Sequence, residues 1–287
     1  MLCNRVKEYI RKVVTSVFFA GALPFLFYAP VHAEESKENK WLDDYSAHVG
    51  LTYNAELTLN STYLWRGLCL GALNIQPTAS IGYGGAYATM WWNIGTFDWS
   101  FARVQPEIDI IFGFARWGID ASVMYVHSFD RAFFDFSNHP DGGNGLEVRL
   151  RYTVSSKLPL SIFWATRVGA SDGYLNDTGD TIRAYSSYAE ISYTHHFPYD
   201  ISLYGAVGIT PWKSFYTGYK GNFAVQNIEL RLRKDWSLHE RCGLMLQGTL
   251  SINPSALAAD KTTAQWHPLA MTNQSVNANL TVGVYLK

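Results

Sequence analysis

From Val49 to Arg66 apolar and polar side chains alternate one by one. Val49, Leu51, Tyr53, Ala55, Leu57, Leu59, Tyr63 and Trp65 share one parity, while His48, Thr52, Asn54, Glu56, Thr58, Asn60, Thr62 and Arg66 hold the other. A period of two separates the classes onto opposite faces only in an extended strand. The run predicts a strand of about 17 residues, long beside the five or six usual in soluble sheets. Ile75-Gln76-Pro77-Thr78-Ala79-Ser80-Ile81-Gly82-Tyr83 repeats the alternation, and Gly84-Gly85 supplies a turn whose two positions both accept positive φ. A third run, Ala86 to Ile94, leaves that turn.

Nine further runs follow, beginning near Val104, Ile119, Leu146, Leu160, Tyr185, Ile201, Asn227, Leu244 and Val276. Their connections fall into two sets. Residues 84–85, 115–117, 155–159, 198–200 and 235–241 are short; residues 67–74, 95–103, 128–144, 169–184, 211–222 and 253–273 are longer, and the two sets alternate throughout. Short turns on one side and long loops on the other, joining an even number of antiparallel strands, are the pattern of a bacterial outer-membrane barrel. The predicted fold is all-β: a transmembrane up-and-down antiparallel barrel of about twelve strands, spanning 48–287. A soluble barrel or sandwich would share the alternation but bury the apolar parity. Here the apolar parity repeats Leu, Ile, Val and Ala, and the polar one carries Gly, Asn and charges. Aromatics gather at predicted strand ends: Tyr63, Trp65, Trp92, Tyr125 and Trp164 on the loop side, Tyr83, Tyr87, Phe114, Tyr152 and Phe197 on the turn side. Two interfacial belts account for that spacing.

The N-terminus has its own grammar. Arg5, Lys7, Arg11 and Lys12 precede an apolar run from Val13 to Ala29, and Val31-His32-Ala33 has the small-x-small form of a cleavage site. Residues 1–33 are therefore expected to be a cleaved signal peptide rather than a membrane anchor, and 34–47 a charged periplasmic lead-in. The leader carries four basic residues and one acidic residue, so the formal −1 of the whole chain becomes about −4 after cleavage. No nucleic-acid partner is expected from that balance. Cys69 and Cys242 fall on a loop and beside a turn, a separation beyond the roughly 7 Å Cα limit for bridging, so no disulfide is expected.

Tyr63-Leu64-Trp65-Arg66-Gly67, then Ile75-Gln76-Pro77-Thr78-Ala79-Ser80 and Tyr87-Ala88-Thr89-Met90-Trp91, resemble the TorF-like porin family of Gram-negative outer-membrane proteins. Its pattern has an early Y-x-[WF]-R-G, a strand with Gln-Pro or Pro-x-Gln, and a Gly-Tyr-x-x-x-Trp strand. The matching positions here are Tyr63, Trp65, Arg66, Gly67, Gln76 and Pro77. The resemblance covers about 30 residues closely and implies a barrel and passive transport, with no catalytic residues to carry over. The chain ends Val284-Tyr285-Leu286-Lys287, without the terminal aromatic that commonly marks the last strand of such barrels.

The polar parity collects the candidate chemistry. Glu56, Glu107, Asp109 and Asp120 come from strands one, four and five; Glu147, Arg149, Arg151, Arg167, Glu190, Glu229, Arg231 and Arg233 come from strands six to eight and ten. On different walls of a closed barrel, these charges would line a channel and set a transverse field that orients polar solutes. Alternatively Glu147 with Arg149, and Glu229 with Arg231, pair and fill the interior as a plug. Arg66 is expected at the pore mouth, anchoring the first loop. Enzymatic readings have weaker support. His127 and Ser128 are adjacent and point to opposite faces of a strand. Asp130, Asp135, His139 and Asp141 share one loop, and Asp172, Asn176, Asp177 and Asp180 another, but neither has the spacing of the helix-flanked calcium loop, and His195-His196 is a weak metal signal. The expectation is a small outer-membrane channel for passive diffusion of small polar solutes, with outer-membrane lipids as surroundings and no cofactor or metal. A lipid- or peptide-hydrolysing barrel and a plugged structural barrel are the alternatives.

Overall fold

The computed structural model describes residues 50–94, 106–129, 131–140, 143–255 and 275–287. The expected leader (1–33) and lead-in (34–47) lie outside those residues, as do loop residues 95–103 and 256–273, Asp130 and Asp141. In chain order the strands are β1 (Leu51–Asn60), β2 (Tyr63–Trp65), β3 (Leu68–Gly71), β4 (Asn74–Tyr83), β5 (Ala86–Asn93), β6 (Glu107–Arg116), β7 (Ile119–Ser128) and β8 (Gly145–Thr153). There follow β9 (Leu160–Ala170), β10 (Gly173–Leu175), β11 (Thr181–Arg183), β12 (Ser187–Phe197), β13 (Ile201–Thr210), β14 (Ala224–His239), β15 (Cys242–Ile252) and β16 (Val276–Leu286). Twelve of them close a barrel in the order β1-β16-β15-β14-β13-β12-β9-β8-β7-β6-β5-β4, with β4 returning to β1. All neighbours are antiparallel, and the seam pairs Ala55 with Leu286 and Asn60 with Thr281. The pairs β2–β3 and β10–β11 are two-stranded hairpins outside the barrel sheet.

The barrel is apolar outside and polar inside. Leu51, Ile81, Phe112, Leu150, Ile162, Ile191, Leu230, Leu232, Leu250 and Leu280 are all exposed, each on the outer parity of its strand. Thr58, Asn60, Ser122, Thr153, Ser161, Ser192, Asn227, Thr249, Ser251 and Thr281 are buried on the inner parity. A soluble sheet does the opposite, because a contiguous apolar exterior in water is not sustained. A hydrocarbon surrounding satisfies this exterior, and a closed ladder leaves no strand edge unpaired in it. At the turn end, Tyr83, Phe114, Trp117, Tyr152, Phe197 and Tyr199 are exposed, forming one aromatic girdle.

Three sequence expectations change. The run from Val49 to Arg66 is not one strand: β1 stops at Asn60, and β2–β3 turn inward across the barrel instead of continuing outward. The stop has a local cause on the facing strand. The Asn279 Oδ1 of β16 accepts from the Thr62 N–H at 3.0 Å and from the Ser61 hydroxyl at 3.2 Å, while the Leu280 N–H donates to Ser61 Oγ at 2.8 Å. The Ser61 N–H still reaches the Leu280 carbonyl at 2.9 Å, but side chains take the return bond and the Thr62 N–H, and the chain leaves the sheet there. Second, Tyr63, Trp65 and Tyr87 are not belt residues. Tyr63 donates its hydroxyl to Glu107, Tyr87 donates to Asp120, and Trp65 stacks with Phe215. Third, β14 runs on to His239, so the expected turn at 235–241 shrinks to Glu240-Arg241. Cys69 lies buried in the inward hairpin and Cys242 at the turn end of β15, paired with Leu286.

Candidate functional site

The site is built where the β2–β3 hairpin crosses the interior. Its tip is a two-residue turn with Arg66 at φ 49° and Gly67 at φ 80°. Glycine accepts that backbone freely, whereas a left-handed arginine costs about 1–2 kcal/mol. Gly67 is also required by space. A Cβ there would lie 2.1 Å from the Gln226 carbonyl oxygen, and the Gly67 carbonyl accepts from Asn253 Nδ2 at 3.2 Å. The hairpin is rooted on β1 and β4 and seats its tip against β14, three strands round the barrel in one direction, and against β8, β9 and β12. It therefore spans the lumen.

The Arg66 guanidinium sits in a closed box. It makes a bidentate pair with Glu147 of β8, Nη1 to Oε2 and Nη2 to Oε1, both 2.7 Å, and also donates to the Tyr216 hydroxyl. Four ring centroids surround it, at 4.7 Å (Trp65), 5.1 Å (Tyr188), 5.2 Å (Phe163) and 5.9 Å (Tyr216). A planar fork suits both the carboxylate and the ring faces in a way an ammonium does not. Both partners are nearly inaccessible, with side-chain exposures of 9 % and 2 %. Desolvation on that scale is tolerated only because the two charges satisfy each other.

A chain of hydrogen bonds delivers the rings. Asp172, fully buried after β9, accepts from the Ser186 N–H at 2.8 Å and from its hydroxyl at 2.5 Å. Ser186 Oγ in turn accepts from the Phe215 N–H at 2.9 Å, and Thr210 Oγ1 donates to Ser214 Oγ at 2.7 Å. These bonds fix a single 3-10 turn, Phe215–Thr217, that drops Phe215 and Tyr216 onto Trp65. Leu68, Phe163, Ala165, Tyr188, Phe215 and Tyr216 form one apolar cluster inside an otherwise polar barrel.

The expected interior charges all fall on the inner parity, but their arrangement differs from separate opposing walls. Acidic β6 and β7 (Glu107, Asp109, Asp120) directly adjoin basic β8 and β9 (Arg149, Arg151, Arg167), and Asp120 faces Arg151 in register. Across the barrel, six strands from β6, lies β14 with Glu229, Arg231 and Arg233. Glu229 pairs with Arg231 at 2.5 Å, Arg233 with Asp235 at 3.0 Å, and Arg231 lies over Tyr204 at 4.7 Å. Glu190 of β12 accepts from Tyr188 and Tyr204, each at 2.7 Å. Glu56 occupies the inner parity of β1, opposite Thr78 and Tyr285. The expected Glu147–Arg149 contact is only 4.0 Å, because Glu147 is committed to Arg66. Arg149 and Arg151 instead stand over Phe163 at 5.6 and 4.8 Å, and Arg167 over Phe215 at 4.3 Å. Arg66 thus anchors the first loop by its tip, to Glu147 near the loop end of β8 and to Tyr216 of the fifth loop. Gln76 pairs with Thr58, and its carbonyl accepts from the Thr58 hydroxyl at 3.3 Å. Pro77 stands where the β4–β5 ladder lapses between Thr78–Trp91 and the Ile75–Ile94 bridge, a position that tolerates a missing N–H.

The alternative chemistries find little geometry. His127 Nδ1 meets Asn144 Oδ1 at 3.0 Å, but the Ser128 hydroxyl donates to the Gly143 carbonyl at 3.4 Å. Asp135 binds the Ser137 N–H and His139, while Asp130 and Asp141 lie outside the described residues. Asp172 is turned to Ser186, and Asn176 and Asp180 close the tip of the β10–β11 hairpin. Among the described residues no three Asp, Glu, His or Cys side chains converge on a metal-sized site. Trp65 was singled out in the sequence only as a motif and belt position, and Phe163, Tyr188, Phe215 and Tyr216, whose joint role no spacing signals, were missed as site residues.

No family model and no curated protein matches the chain. Among solved structures it is similar to the NanC porin in a rhombohedral crystal form, at 11 % identity over 82 % of this chain and 100 % of that one, with a TM-score of 0.48. The KdgM porin is similar at 8 % identity over 82 % and 98 %, TM-score 0.42. Salmonella typhi OmpF in complex with daunomycin is similar at 7 % identity over 82 % and 97 %, TM-score 0.38.

Proposed function

We propose that this chain is a small outer-membrane channel for passive movement of small polar solutes, related to the TorF-like porins it resembles in sequence. The observation that carries the reading is a closed twelve-strand barrel with an apolar exterior and an interior lined by charged and hydroxyl side chains. Such an interior offers water and ions a path that the surrounding hydrocarbon does not. Glu107, Asp109, Asp120, Arg149, Arg151, Arg167, Glu190, Glu229, Arg231 and Arg233, with Glu56, are the proposed lining. The hairpin narrows that path, which makes a low unitary conductance the expected state. A plugged structural barrel is the second reading, favoured by the same hairpin. Planar-bilayer recording of the refolded chain tests both: small discrete steps are expected, and R149A is expected to move the reversal potential toward cations. Leak-level current in the wild type with steps in G67A, whose hairpin seats poorly, would favour the hairpin plug, and leak-level current in both would sink the channel.

A further inference from the structure

The Arg66 box has the composition of a ligand site. A carboxylate accepts both arms of a guanidinium, a phenol accepts a third bond, and aromatic faces enclose the rest. Apart from Trp65, every one of these groups comes from the barrel wall or the fifth loop, not from the hairpin that carries the cation. Glu147 and Phe163 are on β8 and β9, Tyr188 is on β12, and Tyr216 lies 150 residues from Arg66. Withdrawing the hairpin would leave Glu147 buried in a cage open to the lumen. Glu147 would then keep only Arg149, 4.0 Å away and without a forked contact, so the emptied cage presents an unfilled bidentate acceptor between ring faces to a planar cation.

We infer that the Glu147–Phe163–Tyr188–Tyr216 box is a binding site for guanidinium-bearing solutes, filled at rest by the chain's own Arg66, so that a soluble guanidinium taking the box releases the β2–β3 hairpin from the lumen. The left-handed backbone at Arg66 is consistent with a tether that holds its head group in place against local strain. Selectivity follows from shape. The forked pair to Glu147 and the stacked rings discriminate against a compact ammonium, which matches neither. Tethering gives Arg66 an effective concentration on the order of millimolar or above, so a competitor acts on the wild type only at high concentration and far lower on a chain lacking Arg66.

The release half of the inference rests on the channel reading; the binding half does not, and the experiment separates them. Full-length R66A, refolded in detergent and checked for its folded band before heating, is titrated calorimetrically with methylguanidinium and, in parallel, with methylammonium. Saturable methylguanidinium binding is expected, with affinity at least about tenfold above methylammonium, and its loss is expected in R66A/E147Q. In planar bilayers R66A should conduct several-fold more than wild type, and methylguanidinium should affect R66A but not R66A/E147Q. Equal affinities for the two cations, or binding that survives E147Q, overturns the site. R66K, which keeps the charge without the fork, provides the second variant: a conductance like that of R66A supports the box, and one like wild type overturns it. Saturable binding without current in any variant supports the site and sinks the channel reading instead.

Discussion

At the scale of single residues, the tip of the first hairpin shows why its glycine and arginine are adjacent. Gly67 must be glycine twice over, for its positive φ and for its closeness to the Gln226 carbonyl. G67A is expected to unseat the tip at roughly 1–3 kcal/mol. Thermolysin should then cleave the hairpin of the refolded protein, and a cleavage pattern identical to wild type would contradict the seating. Asp135 yields a pH prediction outside the barrel. The Ser137 N–H, the Ser137 hydroxyl and His139 all favour its ionised form, holding its pKa at about 2, below the ordinary 3.8. A lowered carboxyl pKa stabilises the loop above pH 3.8, and that contribution disappears as pH falls through about 2. The Ser137 amide shift should titrate near pH 2, and a midpoint near 3.8 would refute the arrangement. The residues of the Arg66–Glu147 pair were visible in the sequence, but their pairing was not. They are 81 positions apart, and Glu147 has a nearer basic neighbour, Arg149, on the same face.

At the scale of elements, the barrel strands were legible because each alternates without reference to its partners. Boundaries were less so. The alternation of β1 runs straight through Asn60 into Trp65, and only Asn279, on the strand that closes the barrel from the other end of the chain, shows where the ladder stops. β16 is therefore both seam and terminator. Val282 pairs with Leu59 on one side and Leu246 on the other, so V282P removes a ladder bond in the middle of the closing strand. Most of the folded, heat-modifiable band should be lost. V276P, at the first residue of the strand, should be tolerated far better, and equal losses would argue against this register. At the end of the closing strand, Leu286 occupies the outward, exposed position paired with Ala55, while Tyr285 points inward and is buried.

At the scale of the whole molecule, the side of the barrel that meets lipid sets the sign of surface mutations. Leu230 is 51 % exposed and lies midway along β14, opposite Gly205 and Leu250. On a water-facing surface L230R would change stability by no more than about 0.5 kcal/mol. Facing hydrocarbon near the bilayer midplane it should cost roughly 2–4 kcal/mol. Urea unfolding in lipid vesicles distinguishes the two, and a neutral L230R would remove the membrane assignment. The number of barrel strands, their alternating faces and the long-short rhythm of their connections were set by the sequence alone, because each is a local consequence of a period of two between apolar surroundings and a polar interior. The fate of the first loop was decided only in three dimensions. Nothing within Tyr63–Gly71 says whether it rises toward solvent or bends into the lumen. The choice depends on a carboxylate from β8, rings from β9, β12 and the fifth loop, and a glycine-sized gap against β14, groups that become neighbours only when the cylinder closes.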